Sequence, residues 1–146
     1  MKDIFCKIID GEIPCTKVYE DDMVLAILDI SQVTNGHTLV MPKEHYDNFL
    51  SCPKEVMHHV YDVAQRIGQA TVSVLGAKGV NILTNAGEMS GQSVNHFHVH
   101  VIPRYVKGEG GFQITFNEQD ITGVDLPLLA NSISQGIKQL EHDEQK

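Results

Sequence analysis

The chain has 146 residues, a net charge of −8 and 42% hydrophobic residues, which fits one domain able to bury its own core and argues against a broad surface tracking nucleic-acid phosphates, since that needs clustered Lys and Arg. One small phosphate pocket built from neutral donors stays compatible with that charge. Three cysteines (Cys6, Cys15, Cys52) at irregular spacing, acids early in MKDIFCKIIDGEIP and no long apolar run predict a thiol-reduced, cytoplasmic chain with neither signal peptide nor membrane span.

Thr16 to Glu20 and Val24 to Asp29 flank the turn signal Asp21-Asp22 and read as a short hairpin. His37 to Met41 is a third β-rich run, ended by Pro42. Between it and the fourth run lies the clearest helix. Val56, Val60, Val63, Ile67, Ala70 and Val74 recur at helical spacing, with Ser51 and Pro53 marking the start and Gly76 the end. Val80 to Thr84 is the fourth run, and Phe97 to Ile102 the fifth, closed by Pro103. A weaker helix near the C-terminus carries Leu129, Ile133, Ile137 and Leu140 on one face. Strands grouped around one long helix predict an α+β domain on an antiparallel sheet.

The fifth run contains HFHVHVIPR, His96 to Arg104. Alternation along a strand puts His96, His98 and His100 on one face, roughly 6.5–7 Å apart, and Phe97, Val99 and Val101 on the other. Upstream, Asn85 to Ser93 (NAGEMSGQS) is a Gly-rich polar loop, a type that brings backbone N–H groups close to an anion. A loop of donors beside a row of imidazoles suits phosphoryl chemistry. Metal binding is the competing reading, although three ligands on one straight strand are poorly placed for a tetrahedron. His58 and His59 are expected on the solvated flank of the long helix. Lys43, Arg104 and Lys107 are the cations available to steer an acidic substrate.

His-Phe-His-Val-His-Val-Ile (His96 to Ile102) resembles the signature of the histidine-triad, or HIT, family of nucleotide hydrolases and transferases. DIFCKIIDGEIP, VYEDD, LDIS, GHTLVMPKEH, Asn85 and GQS (Gly91 to Ser93) match further family motifs in family order. Beyond Arg104 the likeness is weak. The resemblance implies a single HIT domain over residues 1–146: a five-stranded antiparallel sheet with one long helix and a C-terminal helix, paired as a homodimer. It implies His98 as the nucleophile at the α-phosphate of a purine nucleotide, forming a nucleotidyl-histidine that water hydrolyses. A neutral imidazole is a competent nucleophile at pH 7, and its other nitrogen would need an acceptor, such as a main-chain carbonyl, to fix the tautomer.

In the same resemblance His100 bonds the phosphate, and His96 and His37 support the nucleophile. Asn85, Gly91, Gln92 and Ser93 meet the phosphate and leaving group, Asp29 accepts the ribose hydroxyls, and Ile4, Phe5, Ile8, Ile27 and Ile30 form the wall around the base. On pattern alone those five apolar residues read as core. No cofactor is required for this chemistry. A structural zinc is implied where relatives carry Cys-x-x-Cys, although here Asp3 replaces the first thiolate, leaving Asp3, Cys6, His45 and His96 as the ligand set. The expected activity is nucleoside phosphoramidase-like. Dinucleoside polyphosphate hydrolysis and a nucleotide-binding sensor or scaffold are the alternatives, and neither nucleic acid nor membrane is an expected partner.

Overall fold

The computed structural model describes residues 2–106 and 113–145, so Lys107 lies outside the described residues. The chain forms two compact units, Met1–Gln113 and Ile114–Lys146. In the first unit, five strands make one antiparallel sheet in the order β1-β2-β3-β5-β4: β1 (Lys17–Glu20), β2 (Val24–Leu28), β3 (Thr38–Pro42), β4 (Gly79–Leu83) and β5 (Val99–Arg104). The β1–β2 turn is closed by Asp21, whose Oδ1 accepts the N–H groups of Met23 and Val24 at 2.8 Å each.

The sheet buries both faces, and alternation assigns residues to each. Val24, Ala26, Val40, Phe97, Val99 and Val101 pack with Val60, Val63, Ala64 and Ile67 of the long helix α2 (Lys54–Leu75). Gly76 ends that helix in the left-handed conformation, at φ +76°, where a side chain would be strained. On the opposite face Leu25, Ile27, Leu39 and Met41 pack with Phe5 of a short helix α1 (Ile4–Ile9). This helix was not foreseen in the sequence. Asp3 caps it, with Oδ1 accepting the Cys6 N–H at 2.8 Å. Phe97, Val99 and Val101 are fully buried. A one-residue slip would turn all three out of the core, at about 1.5–3 kcal/mol each, so the histidine register is fixed from behind.

The fifth strand departs from its sequence boundaries at both ends. Regular pairing begins at Val99, with Leu39 opposite His100. His96 and His98 therefore lie in the lead-in to the strand, although the in-out alternation continues through them. At the other end the strand runs through Pro103, which pairs with Val80. Its missing N–H is tolerated because β3 begins only at Thr38, opposite Val101. The Pro103 carbonyl accepts from Thr34 Oγ1 at 2.6 Å on that side.

His59 is half-buried, not solvated. Its Nε2 lies 2.6 Å from Asp21 Oδ2, which ties α2 to the β1–β2 turn. In the second unit, α3 (Leu126–Glu144) is capped by Asp125, whose Oδ1 accepts from Leu128 N at 3.0 Å. Its stripe Leu129, Ile133, Ile137 and Leu140 is exposed. Among the described residues, no helix is long and apolar enough to cross a membrane.

Candidate active site

The α1 face of the sheet carries His98 and His100, and hydrogen bonds settle which ring nitrogens hold protons. A main-chain carbonyl only accepts, so a ring nitrogen bonded to one is an N–H. His98 Nδ1 lies 2.7 Å from the His96 carbonyl oxygen. Nδ1 is thus the protonated nitrogen, and Nε2 keeps its lone pair. The His98 carbonyl in turn accepts from Thr84 Oγ1 at 2.6 Å. Phe5 meets the His98 ring edge-on, centroids 4.9 Å apart. Burial pushes the His98 imidazole below its ordinary value, against the His96 carbonyl bond. The ring is therefore held neutral with one free nitrogen.

His100 and His37 form a second pair, with His37 Nε2 2.9 Å from His100 Nδ1. The Val33 N–H points to His37 Nδ1 at 3.4 Å. This places the shared proton on His37 Nε2 and leaves His100 Nε2 as an N–H donor. Burial, then the neighbouring His98 and His37, lower His100 to about 4. Burial also lowers His37, although the Asp29 carboxylate and the Ser31 backbone oppose it. Asp29 follows β2. Its Oδ1 accepts from Ser31 N at 2.8 Å, and its Oδ2 stands 3.7 Å from His37 Nε2.

The Gly-rich loop closes on itself. A 3-10 turn spans Glu88–Ser90, and Gly91 follows it at φ +101°, beside Asn85 Nδ2. A Cβ there would be strained whatever the space. The Gln92 side chain, expected at the phosphate, is fully engaged inside the protein. Its Oε1 accepts from Gly87 N at 2.7 Å, and its Nε2 donates to Asp47 O at 2.7 Å and Val94 O at 2.9 Å. Ser93 is exposed. Of the five apolar residues assigned to the base, Phe5 and Ile27 are core, Ile8 packs against that core, and Ile4 is 49% and Ile30 99% exposed. Lys43 pairs with Glu20 at 2.9 Å, and Arg104 Nη1 donates to Asn81 Oδ1 at 2.9 Å.

His96 faces a different neighbourhood. Its Nε2 lies 2.9 Å from the Pro42 carbonyl, so its Nδ1 carries a lone pair when the ring is neutral. His45 has a carboxylate at each ring nitrogen, its Nε2 meeting Asp47 Oδ1 at 2.9 Å. Both Nδ1 atoms converge on Asp3 Oδ2, at 2.9 Å from His45 and 3.2 Å from His96. Cys6 Sγ completes the group at 3.4 Å from Asp3, 3.6 Å from His96 and 3.8 Å from His45. Four potential ligand atoms, one from each residue, thus lie within 4.8 Å of one another. Zinc bonds of about 2.0–2.3 Å at tetrahedral angles separate ligands by roughly 3.3–3.6 Å, close to the spacing here. These residues fit a tetrahedral cation. Asp29, His37 and His100 also cluster, but two of their ring nitrogens already bond each other, which fits proton exchange better than a metal.

Residues 10–107 match the family model described as HIT domain. The chain belongs to the HIT family. It is 47% identical over 132 residues to the protein hit of Bacillus subtilis (strain 168), covering 90% of this chain and 91% of that one. A crystal structure of a HIT family member from Bacillus subtilis superposes with a TM-score of 0.84 at 45% identity, covering 92% and 96% of the two chains. An adenylylsulfatase of Arabidopsis thaliana is 44% identical over 101 residues, 69% of this chain and 51% of that protein. A zinc-bound histidine triad family protein from Mycobacterium smegmatis is similar in structure, with TM-score 0.69, 35% identity and 96% of each chain covered. The five-stranded antiparallel fold is that of the family.

Two residues in these contacts carry no motif signal of their own. Thr84 ends the fourth β-rich run, and its bond to the His98 carbonyl is visible only in three dimensions. Asp47 follows His45 at i+2 in KEHYDN. An Asp two residues from a candidate ligand is the one trace that could mark it.

Proposed function

We propose that the protein is a nucleotidyl hydrolase, nucleoside phosphoramidase-like, acting at the α-phosphate of purine nucleotides. The observation that carries this is the His98 ring, buried, neutral and locked by the His96 carbonyl with Nε2 unprotonated. His98 Nε2 forms a bond to phosphorus as the phosphorus–leaving-group bond breaks. The leaving amine departs with the electron pair and takes a proton from a water molecule. The resulting hydroxide attacks phosphorus, the phosphorus–nitrogen bond breaks with its electron pair returning to His98 Nε2, and nucleoside monophosphate is released. His100 Nε2–H and the backbone donors of Gly91 to Ser93, with Asn85, stabilise the charge on the phosphate oxygens. One well-placed donor of this kind is worth about 3–4 kcal/mol. Asp29 Oδ2 accepts the ribose hydroxyls, and Ile4, Phe5, Ile8, Ile27 and Ile30 face the base. The adenylylsulfatase relative supports chemistry at an adenylyl group.

The same reading places zinc at Asp3, Cys6, His45 and His96 in a structural role. Bound there, it would pin the start of α1 against the histidine segment, and no bond to the substrate involves it. The donor set and the zinc-bound relative support this. A homodimer in the cytoplasm, with three unpaired thiols, completes the proposal.

Side-by-side turnover of adenosine 5′-phosphoramidate and diadenosine tetraphosphate tests it. The phosphoramidate is expected to be the better substrate, and an alkaline quench mid-reaction should preserve an acid-labile adenylyl group on His98. An adduct on another histidine, or binding of both compounds without turnover, would overturn the reading.

A further inference from the structure

The tripeptide His45-Tyr46-Asp47 touches the Asp3–Cys6–His96 cluster, the histidine segment and the Gly-rich loop. His45 Nδ1 belongs to the four-residue cluster. The Tyr46 carbonyl accepts from Phe97 N at 2.7 Å, between His96 and His98. Asp47 bonds in two directions: its carboxylate accepts from His45 Nε2, and its carbonyl accepts from Gln92 Nε2. Gln92 in turn holds the loop through Gly87 N and Val94 O. The cluster and the Gly-rich loop are thus joined by a chain of side-chain and backbone bonds, His45 to Asp47 to Gln92.

We infer that this tripeptide is a strut through which a cation at Asp3, Cys6, His45 and His96 orders the loop Gly87 to Ser93, with Asp47 and Gln92 as its positioning residues. A cation bonded at this cluster would hold the His45 ring through Nδ1, and the opposite ring nitrogen, Nε2, would hold the Asp47 carboxylate in turn. Residues that orient metal ligands from behind commonly change metal affinity 10–100-fold when removed. The strut rests on the hydrolase reading only for the loop's purpose; the ordering itself needs no substrate.

The test is amide hydrogen exchange on the full chain, chelator-treated and zinc-saturated, with zinc affinity measured by chelator competition. In the native sequence, zinc should slow exchange across residues 87–93 by about tenfold. Gln92→Glu keeps the acceptor for Gly87 N–H but lacks both Nε2 donors. Zinc should still protect residues 3–6 in this variant, while protection of 87–93 is lost. Asp47→Ala should weaken zinc about tenfold, and Asp47→Asn, which retains an acceptor oxygen, should restore it. The inference fails if zinc does not bind, if it leaves residues 87–93 unchanged in the native sequence, or if Gln92→Glu responds like the native sequence. A protein without hydrolase activity but with zinc-ordered residues 87–93 would sink the hydrolase reading and leave the strut standing.

Discussion

The two ends of the histidine segment obey opposite hydrogen-bonding logic. At His98 and His100 the inward ring nitrogens are paired within the protein: Nδ1 of His98 donates to a carbonyl, and His37 and His100 share one proton across 2.9 Å. Burial holds these rings neutral. At His96 and His45 the outer nitrogens are equally well anchored, but the inner ones face a carboxylate and a thiol. The first end is balanced and leaves one free nitrogen for chemistry. The second gathers two ring nitrogens and a thiol around one carboxylate oxygen. Phe5 lies between them, edge-on to both His96 and His98 at 5.9 and 4.9 Å, and keeps the two sets of rings apart. Alternate residues of one segment can therefore serve two purposes, provided an apolar ring separates them and backbone carbonyls fix each tautomer.

The largest expected effect breaks the first end. His98→Ala removes the only nitrogen proposed to bond phosphorus, and in-line attack needs reacting atoms within about 3–3.5 Å. Turnover should fall by at least three orders of magnitude, with nucleotide affinity changed little, because Asp29 and the loop still hold the ligand. His100→Ala should leave measurable turnover. Single-turnover kinetics with separate binding measurements check both. Equal losses in the two variants would mean the pair acts as a unit without a distinct nucleophile.

The next effect breaks the second end. Cys6→Ser removes one of four ligands and the only sulfur, so zinc affinity should fall by about 100-fold or more. Metal analysis of the native protein purified without chelator should give about one zinc per chain, and chelation should lower thermal stability without abolishing turnover. Complete loss of activity on chelation, with the fold retained, would contradict a structural role. Asp29→Asn belongs to the catalytic end and is smaller. A hydrogen bond to a charged group is worth about 1.5–3 kcal/mol, so ribonucleotide binding should weaken roughly 10–150-fold. A 2′,3′-dideoxynucleotide should lose little, and equal loss for both ligands would remove Asp29 from the ribose.

Much of this contrast was legible in the sequence, and the exceptions have physical causes. The apolar stripe from Val56 to Val74 located α2, and alternating runs located all five strands to within a residue or two, because burial sets both periods. The six residues of α1 carry no such signal: one and a half turns give too little periodicity, and its start depends on the Asp3 cap. His96 and His98 sit outside the regular ladder because pairing with β3 begins only at Val99. The triad, Asp29 and the loop glycines were visible as motifs. The internal bonds of the Gln92 side chain were not legible, since its partner Asp47 lies 45 residues away and nothing local distinguishes a phosphate donor from a loop brace. His59 likewise looked solvated until Asp21, 38 residues away, supplied its partner.

The smallest expected effect concerns pH, and its smallness is the point. An exposed imidazole titrates near 6.5, so an exposed pair would change charge between pH 7.5 and 6.0. His37 and His100 are both held below that value, His100 at about 4, with burial the main cause. His100 stays neutral through that interval in the folded protein. kcat/KM for the phosphoramidate should therefore change by less than about twofold from pH 7.5 to 6.0, then fall as pH approaches 4. Stability follows the same groups with a definite sign. Well above pH 6.5 neither the folded nor the unfolded chain protonates His100, so it contributes no pH dependence there. Between 6.5 and about 4 the unfolded chain binds a proton at His100 that the folded chain refuses, so its effect is to lower stability as pH falls, and the lowered His37 acts with the same sign. Urea midpoints for the native protein and His100→Gln, measured at pH 7.5, 6 and 5, isolate this contribution. The native protein should lose more stability than the variant between pH 6 and 5. A rate profile that drops steeply around 6.5, with parallel urea midpoints for the two proteins, would show that the His37–His100 pair is open to water and that the first end is not the balanced, buried site its hydrogen bonds describe.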